Sequence, residues 1–161
     1  MSQVCALAKS ASVLCRCGTP AVLRYRQRIS GPLLDRIDIH VEVPLVEYRE
    51  LAKTESGEAS EAIRARVEAA RAVQHERLRG TGLACNAGLT PKLMKAHCRI
   101  DDESSMLLEN TMSQMNFSAR AHDRILKVAR TIADLAGSMD ITADFLLEAI
   151  SYRTLDRNLL G

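Results

Sequence analysis

Arginine and aspartate residues surround one predicted turn of this chain, and arginine is the side chain best suited to meet a phosphate group. A single helical turn is predicted to begin at Ser30-Gly31-Pro32 and to end at Arg36, within the run Leu33-Leu34-Asp35-Arg36-Ile37-Asp38. A guanidinium group is planar, always charged and able to bind phosphate oxygens through two N–H groups at once. Arg36 is therefore a candidate for phosphate chemistry. The simpler alternatives are an ion pair with Asp35 or Asp38, or a cation near the C-terminal end of a helix dipole.

A second candidate cation lies at the start of a predicted helix. Ser118 is a typical N-cap residue, and Arg120 follows it within the first helical turn. Backbone N–H groups and the helix dipole favour anions at that end. A cation there is mildly unfavourable for the helix itself, which is consistent with a functional placement. Arg124 and Lys127 lie nearby on the same helix and either join such a site or stay solvated.

The cysteines offer a weaker case for a metal site. Cys15-Arg16-Cys17 is a closely spaced pair, but a tetrahedral zinc site needs four ligands and no second pair is close by. Cys15 and Cys17 are therefore weak candidate ligands, and we expect no metal. The odd total of five cysteines favours reduced thiols over a disulfide framework.

Two motifs of nucleotide hydrolysis do not occur in the sequence. No G-x-x-x-x-G-K-[ST] phosphate loop is present among the eight glycines, and no apolar strand ends in Asp-Glu to hold magnesium. We therefore expect no ATP hydrolysis by this chain alone.

Composition narrows the classes of protein further. The chain has 161 residues, 47% of them hydrophobic, five aromatic residues and no Trp, which favours helix-on-helix packing. The net charge of +2 argues against a dedicated DNA-binding domain, although the run Arg24-Tyr25-Arg26-Gln27-Arg28 is locally basic. No stretch is long enough to span a bilayer, and we expect a cytoplasmic protein.

The pattern of apolar residues predicts a mainly α fold with one short β-strand near residues 37–43, closed by Pro44. A long helix is predicted over 59–79, with Ile63, Val67, Ala70 and Leu78 on one face. Residues 90 onward predict a four-helix array with short links. Its helices are expected to begin at Thr90, Asp101, Ser118 and Thr142, with Gly137 ending the third.

Three finer expectations concern side chains on these helices. Leu146, Ala149 and Ile150 share the apolar face of the last helix, and Met106, Met112 and Met115 are expected in the core. Arg130 and Asp134, four positions apart, are expected to form a structural ion pair, and Glu148 and Arg153 are interpreted in the same way.

The segment around Arg36 resembles the LLDR-(F/I)-D segment of AAA+ ATPases of the magnesium-chelatase and MCM kind. Three further segments resemble the magnesium-chelatase-like ComM group of bacterial proteins. They are Arg24-Tyr25-Arg26-Gln27-Arg28, Ser118-Ala119-Arg120 and Ala129-Arg130-Thr131-Ile132-Ala133-Asp134-Leu135. The resemblance extends from residue 15 to residue 158, in family order.

This resemblance implies specific roles. Arg36 would be the arginine finger that reaches the γ-phosphate of a neighbouring subunit, and Arg120 would be the sensor-2 arginine, with Arg124 beside it. Four domains follow: a poorly structured segment (1–19), the end of the ATPase core with the finger segment (20–53), a long helix and connector (54–89) and a helical lid (90–161). The family often pairs a Cys-x-Cys like Cys15-Arg16-Cys17 with an upstream cysteine pair, which is absent here.

The resemblance also implies partners and cofactors for a larger parent protein. The parent would be a hexameric ATPase that uses ATP and Mg²⁺ to move on DNA during recombination, whereas this chain alone needs no cofactor and is expected to be a monomer. A subunit of a true magnesium chelatase is one alternative. A non-enzymatic helical interaction module that has lost its motor is another, and a DNA-binding helical domain is a third.

Overall fold

The computed structural model describes residues 57–153 without a break, residues 31–41, and the single positions 18, 20, 21, 24, 28 and 43. The predicted mainly α architecture is confirmed for this part of the chain. Beside a 3₁₀ turn at Asn86–Gly88, it contains helices α1 (Gly31–Leu34), α2 (Ser60–Arg77), α3 (Pro91–His97), α4 (Asp102–Met115), α5 (Ala119–Leu135) and α6 (Ala143–Ser151). The expected two helical turns over 46–52 lie outside the described residues, as does nearly all of the 1–19 segment.

The predicted array from residue 90 onward is present as α3 to α6, and local capping explains where these helices begin. The side chains of Thr90, Asp101 and Ser118 accept hydrogen bonds from the backbone N–H groups of Leu93, Ser104 and Ala121, respectively. Each bond satisfies a donor that has no partner within the helix. Thr142 differs, because it holds the N-cap position of α6 but its side chain accepts no such bond.

Two helices end in residues with left-handed backbone. Gly137 has φ of 69°, and the backbone N–H of Ser138 donates to Ala133 O at 2.8 Å. Asn116 has φ of 51° at the end of α4, where the N–H of Phe117 donates to Met112 O at 3.0 Å. At each helix end, the left-handed residue and this hydrogen bond form the Schellman motif, which gives a partner to backbone carbonyls that have none within the helix.

Helix α5 is the centre of the molecule and packs against α2, α3, α6 and the 3₁₀ turn, while α4 packs on α6. Residues 125, 129 and 133 of α5 recur every four positions and are completely shielded from solvent. The core around them is aliphatic and is formed by Leu78, Leu89, Met94, Leu108, Ile141, Leu146, Ala149 and Ile150, among others.

The predicted strand near residues 37–43 is wrong for the positions described there, 37–41 and 43, which are not in strand conformation. A strand needs a neighbouring backbone for its hydrogen bonds, and here the nearest partners are helix ends. The N–H of His40 donates to Tyr152 O at 2.8 Å, and Ile37 O accepts from the Arg153 side chain. The expected inward apolar side chains, including Ile39 and Val41, are exposed.

The apolar face predicted for the long helix is buried only in its second half. Ala70 and Leu78 are buried, whereas Ile63 and Val67 are exposed together with every other residue from 60 to 69. The first half of α2 therefore extends beyond the core that α5 organises. No helix in the described ranges is long and apolar enough to cross a bilayer.

Candidate functional site

Residues 35–40, which we call the docked segment, lie against the ends of α5 and α6. Helix α1 leads into the segment, and the N–H of Arg36 donates to Leu33 O at 3.0 Å, closing the turn. The side chain of Arg36, at the end of this turn, is exposed. The sequence predicted a helical turn here that ends at Arg36; the helix ends at Leu34, and Arg36 closes the turn that follows it.

Asp35, immediately before Arg36, is engaged by both helix ends. Ser118 Oγ, at the N-cap of α5, donates to Asp35 Oδ1 at 2.7 Å. A guanidinium nitrogen of Arg153, just beyond α6, lies 3.7 Å from the same oxygen. Ser118 therefore has two tasks, because its oxygen also accepts the capping bond from Ala121 N at 3.1 Å.

Arg153 is completely buried although it is charged, with 0% of its surface exposed. Its Nη1 donates to the carbonyl oxygen of Ile37, on the far side of Arg36 from Asp35. Next to it, Tyr152 O accepts from the backbone N–H of His40 at 2.8 Å. The end of α6 therefore holds the docked segment at three of its residues.

Arg124, predicted to bind nucleotide, forms an ion pair with Asp38. The pair is part-exposed, with 27% of the Arg124 side chain and 47% of the Asp38 side chain accessible. It adds a contact between the docked segment and the second turn of α5. In this structure Arg124 serves the attachment of the segment.

Arg36 and Arg120 are both exposed, and both lie at the N-terminal end of α5. Arg36 follows Asp35, which touches Ser118, and Arg120 lies two residues after Ser118. The two carboxylates nearest to Arg36 in sequence are bound by other groups, Asp35 by Ser118 and Arg153, and Asp38 by Arg124. Within the described residues, no ion pair neutralises either Arg36 or Arg120.

A separate cluster of charged residues is buried between α2 and α5. Arg77 binds Asp134 with two parallel bonds, Nη2 to Oδ1 at 2.5 Å and Nη1 to Oδ2 at 2.8 Å. Asn86 donates to Asp134 Oδ2 at 2.8 Å, and Arg130 Nε lies 3.1 Å from Oδ1. The predicted Arg130–Asp134 ion pair is thus confirmed. Arg130 also donates to the carbonyls of Ser138 and Met139, which fixes the link to α6.

These bonds set the ionisation of Asp134. Burial opposes its charge, but the hydrogen bonds from Arg77 and Asn86 and the charges of Arg77 and Arg130 outweigh burial and hold the pKa of Asp134 below its usual value. Burial raises the pKa of the nearby Cys98 thiol to about 11. Cys98 is therefore an unreactive thiol at neutral pH.

Nothing in the described part of the chain offers a metal site, since no three His, Cys, Asp or Glu side chains there are grouped as ligands. The weak candidates Cys15 and Cys17 lie outside the described residues. So do Tyr25, Arg26 and Gln27 of the basic run, whose outer members Arg24 and Arg28 are exposed.

Sequence reasoning did not single out Arg77 and Asn86. It assigned Arg153 to an ion pair with Glu148, whereas Arg153 lies near Asp35 and Glu148 accepts from the Tyr152 hydroxyl. Arg153 contacts a residue 116 positions away, and Arg77 reaches Asp134 across 57 positions. No local spacing relates such partners. The available signal was weak: a charged residue directly after an apolar helix, and one at the end of a long helix.

Comparison with known proteins gives matches along nearly the whole chain. The family described as "Magnesium chelatase, subunit ChlI C-terminal" matches residues 57–153, and the one described as "Magnesium chelatase, subunit ChlI" matches residues 2–51. The second match begins well before residue 15, where the resemblance was expected to start, and it includes the docked segment.

Similar curated proteins come from several bacteria. The uncharacterised protein YifB of Escherichia coli K12 is 43% identical over 146 residues, covering 90% of this chain and 28% of its own length. The competence protein ComM of Haemophilus influenzae is 40% identical over 139 residues, covering 86% and 26%. An uncharacterised protein of Mycobacterium tuberculosis H37Rv is 32% identical over 139 residues, covering 86% and 27%.

The chain spans little more than a quarter of the length of these relatives. The family match over residues 57–153 covers the continuous helical unit from α2 to Arg153, and the relatives extend the similarity to most of the remaining sequence. This chain therefore belongs to the magnesium-chelatase ChlI C-terminal family and is related to the ComM and YifB proteins.

Proposed function

We propose that this chain is the lid and arginine-finger region of a larger AAA+ ATPase of the ComM type, which uses ATP hydrolysis to move on DNA. In this proposal Arg36 is the arginine finger and Arg120 is the sensor-2 arginine. The observation that carries the proposal is the exposed Arg36 guanidinium beside two carboxylates that are bound by other groups. The simpler reading of Arg36, as the ion-pair partner of Asp35 or Asp38, loses its support.

The exposed pair of arginines fits an anionic ligand such as the phosphates of ATP. A guanidinium without a protein carboxylate partner can donate hydrogen bonds to phosphate oxygens, and at a helix N-terminus the backbone N–H groups donate to them as well. The sequence has no phosphate loop of its own, so Arg36 and Arg120 supply half of a site at most. ATP and Mg²⁺ would be held by other parts of the longer protein. When bound, Mg²⁺ would neutralise phosphate charge.

The role of Arg36 is then to stabilise negative charge that develops on the transferred phosphoryl group. Such an arginine acts through electrostatic preorganisation, because it is fixed before the charge appears. Arginine fingers in other phosphoryl-transfer enzymes contribute roughly 10³–10⁵-fold to turnover. Arg120, in the first turn of α5, would instead bind the phosphates of the nucleotide, so that the position of the lid depends on whether nucleotide is bound.

The experiment that tests the proposal uses a hybrid protein, in which this chain replaces the matching region of E. coli YifB. We expect the hybrid to hydrolyse ATP and Arg36→Ala to lower kcat by roughly 10³-fold with little change in KM. We expect Arg120→Ala to weaken ATP binding as well. Arg71→Ala is the matched control, since Arg71 is an exposed arginine on α2, away from the docked segment. A hybrid without ATPase activity, or an Arg36→Ala variant with unchanged kcat, would contradict the proposal.

DNA is the proposed substrate of the motor, and its involvement is tested separately. ATP hydrolysis by the hybrid should rise when single-stranded or branched DNA is added, and the apparent DNA affinity should fall as salt increases. If DNA does not change the rate of ATP hydrolysis at any salt concentration, the DNA-motor function is excluded, while the proposed roles of Arg36 and Arg120 are unaffected. Stimulation by a porphyrin in place of DNA would favour the chelatase alternative.

A further inference from the structure

Arg153 joins two features that the proposed function treats separately, the lid and the finger. Its side chain has no exposed surface, although it carries a positive charge. Burying a charge costs several kcal/mol unless it is paired and hydrogen-bonded. Its side chain donates to Ile37 O and lies 3.7 Å from Asp35 Oδ1. These two residues are the immediate neighbours of Arg36 on either side.

We propose that Arg153 is a positioning residue, which holds the Asp35 carboxylate and the Ile37 carbonyl on either side of Arg36 and so couples the lid to the placement of the finger. This inference rests on the proposed function of Arg36. Arg153 itself does not touch the nucleotide in this proposal. It acts by restricting the conformations of Asp35 and Ile37, the residues on either side of Arg36.

The surrounding contacts support a clamp with several points of attachment. Ser118 binds Asp35 from the opposite helix end at 2.7 Å, Arg124 pairs with Asp38, and Tyr152 O holds His40 N at 2.8 Å. Arg153 is the member that reaches both flanks of Arg36 and is shielded from water. Shielding strengthens its electrostatic interactions relative to the part-exposed Arg124–Asp38 pair.

The geometry makes the position of Arg36 dependent on the end of α6. Helix α6 packs against α5 and α4, so a shift of the lid helices would move Arg153 and the segment it holds. Catalytic effects of this kind are large, since a misplacement of about 1 Å can cost roughly 10²-fold in rate. Nucleotide-dependent motion of the lid would thereby advance or withdraw the finger.

The first arm of the test uses the 161-residue chain and NMR-detected amide exchange. We expect Arg153→Gln to speed exchange at the His40 amide about tenfold or more, while amides of the α5 core such as Ala129 keep their protection. Arg153→Lys, which retains the charge, should restore part of the protection. Asp35→Asn removes the Asp35–Arg153 ion pair by changing its less buried partner, and it should speed exchange at His40 to a smaller degree. Unchanged exchange at His40 in both Arg153→Gln and Asp35→Asn would overturn the inference.

The second arm uses the hybrid protein and separates positioning from simple stability. We expect Arg153→Gln to lower kcat by roughly 10²-fold without raising KM for ATP. The double variant Arg36→Ala/Arg153→Gln should be no slower than Arg36→Ala alone, because the clamp acts only through the finger. A merely structural residue would instead lower kcat by the same factor in both backgrounds.

The outcomes distinguish the two proposals. If Arg36→Ala lowers kcat as expected but Arg153→Gln frees the segment without changing kcat, the positioning role is wrong and the finger proposal stands. If Arg36→Ala leaves kcat unchanged, the finger proposal fails. The exchange data then still decide whether Arg153 holds the segment.

Discussion

Two arginines of this chain show how surroundings decide between a structural and a functional role. Arg130 is 3% exposed, and its guanidinium nitrogens bind Asp134 and the carbonyls of Ser138 and Met139. Arg36 is exposed, and the carboxylates beside it are taken by Ser118, Arg153 and Arg124. The first arginine has its charge satisfied within the protein, and the second presents its charge to solvent.

The first prediction at this scale concerns Asp134. Asp134→Asn should lower the free energy of unfolding by about 3–5 kcal/mol, because Arg77 and Arg130 are then left buried without a countercharge. Asp140→Asn, at an exposed carboxylate, should change it by about 0.5 kcal/mol or less. Urea denaturation at neutral pH measures both. Equal effects of the two substitutions would show that the buried pair is not the cause.

The same carboxylate predicts a dependence on pH. Its pKa is lowered in the folded state, so the stability it contributes is complete above the unfolded value of about 3.9 and is lost as pH falls through the folded value. The difference in unfolding free energy between wild type and Asp134→Asn should therefore shrink below about pH 4. A difference that stays constant down to pH 2 would contradict this assignment.

At the scale of single helices, the sequence predicted the boundaries well wherever a side chain defines them. Thr90, Asp101 and Ser118 accept the expected capping bonds, and Gly137 has the expected left-handed backbone. These signals are local, because the cap and the group that it satisfies lie within a few residues. Thr142 lacked the bond, which shows that the residue type alone does not guarantee it.

Ser118 and Thr142 provide a matched pair for the third prediction. Ser118→Ala should destabilise the protein by about 1 kcal/mol or more through loss of the α5 cap, and it also removes the bond to Asp35. Thr142→Ala at α6 should cost about 0.5 kcal/mol or less, since no capping bond is lost. Thermal unfolding of both variants measures the difference. An equal loss at the two sites would show that the observed bonds do not determine capping strength.

Other predictions about elements failed because the deciding partner lies far along the chain. The period-2 pattern of residues 37–43 indicated a strand, but helix ends supply the partners there. Ile63 and Val67 have the spacing of a buried face and are exposed, because α5 covers only the second half of α2. Met106 was expected in the core and is also exposed. Apolar spacing shows which face could be buried, not whether a neighbour covers it.

At the scale of the whole molecule, the core follows the predicted face of α6, on which Leu146, Ala149 and Ile150 are buried. Adjacent leucines allow the fourth prediction. Leu146 is 0% exposed and Leu147 is 48% exposed, so Leu146→Ala should cost about 2–5 kcal/mol and Leu147→Ala about 0.5 kcal/mol or less. Denaturant unfolding measures both values. Comparable losses would mean that α6 is packed with a different face inward.

The candidate site was predictable only in part. Arg36 and Arg120 were found from residue type and local position, and the structure adds that both lie at one end of α5. Arg153 could not be found this way, since its partners are fixed by how the chain folds back on itself. The roles of the two candidate arginines stay predictions until hydrolysis is measured.

The docked segment also implies an order of assembly. Its bonds to the helices join residues 83, 86 and 116 positions apart, whereas the Arg130–Asp134 pair spans four. Contacts across long loops pay their closure entropy before they gain stability, so they form late. Arg36 is synthesised before α6, yet it acquires its position only after residue 153 has been made and α6 has packed. Synthesis that stops before the last helix would therefore yield a chain in which Arg36 is present and not yet placed.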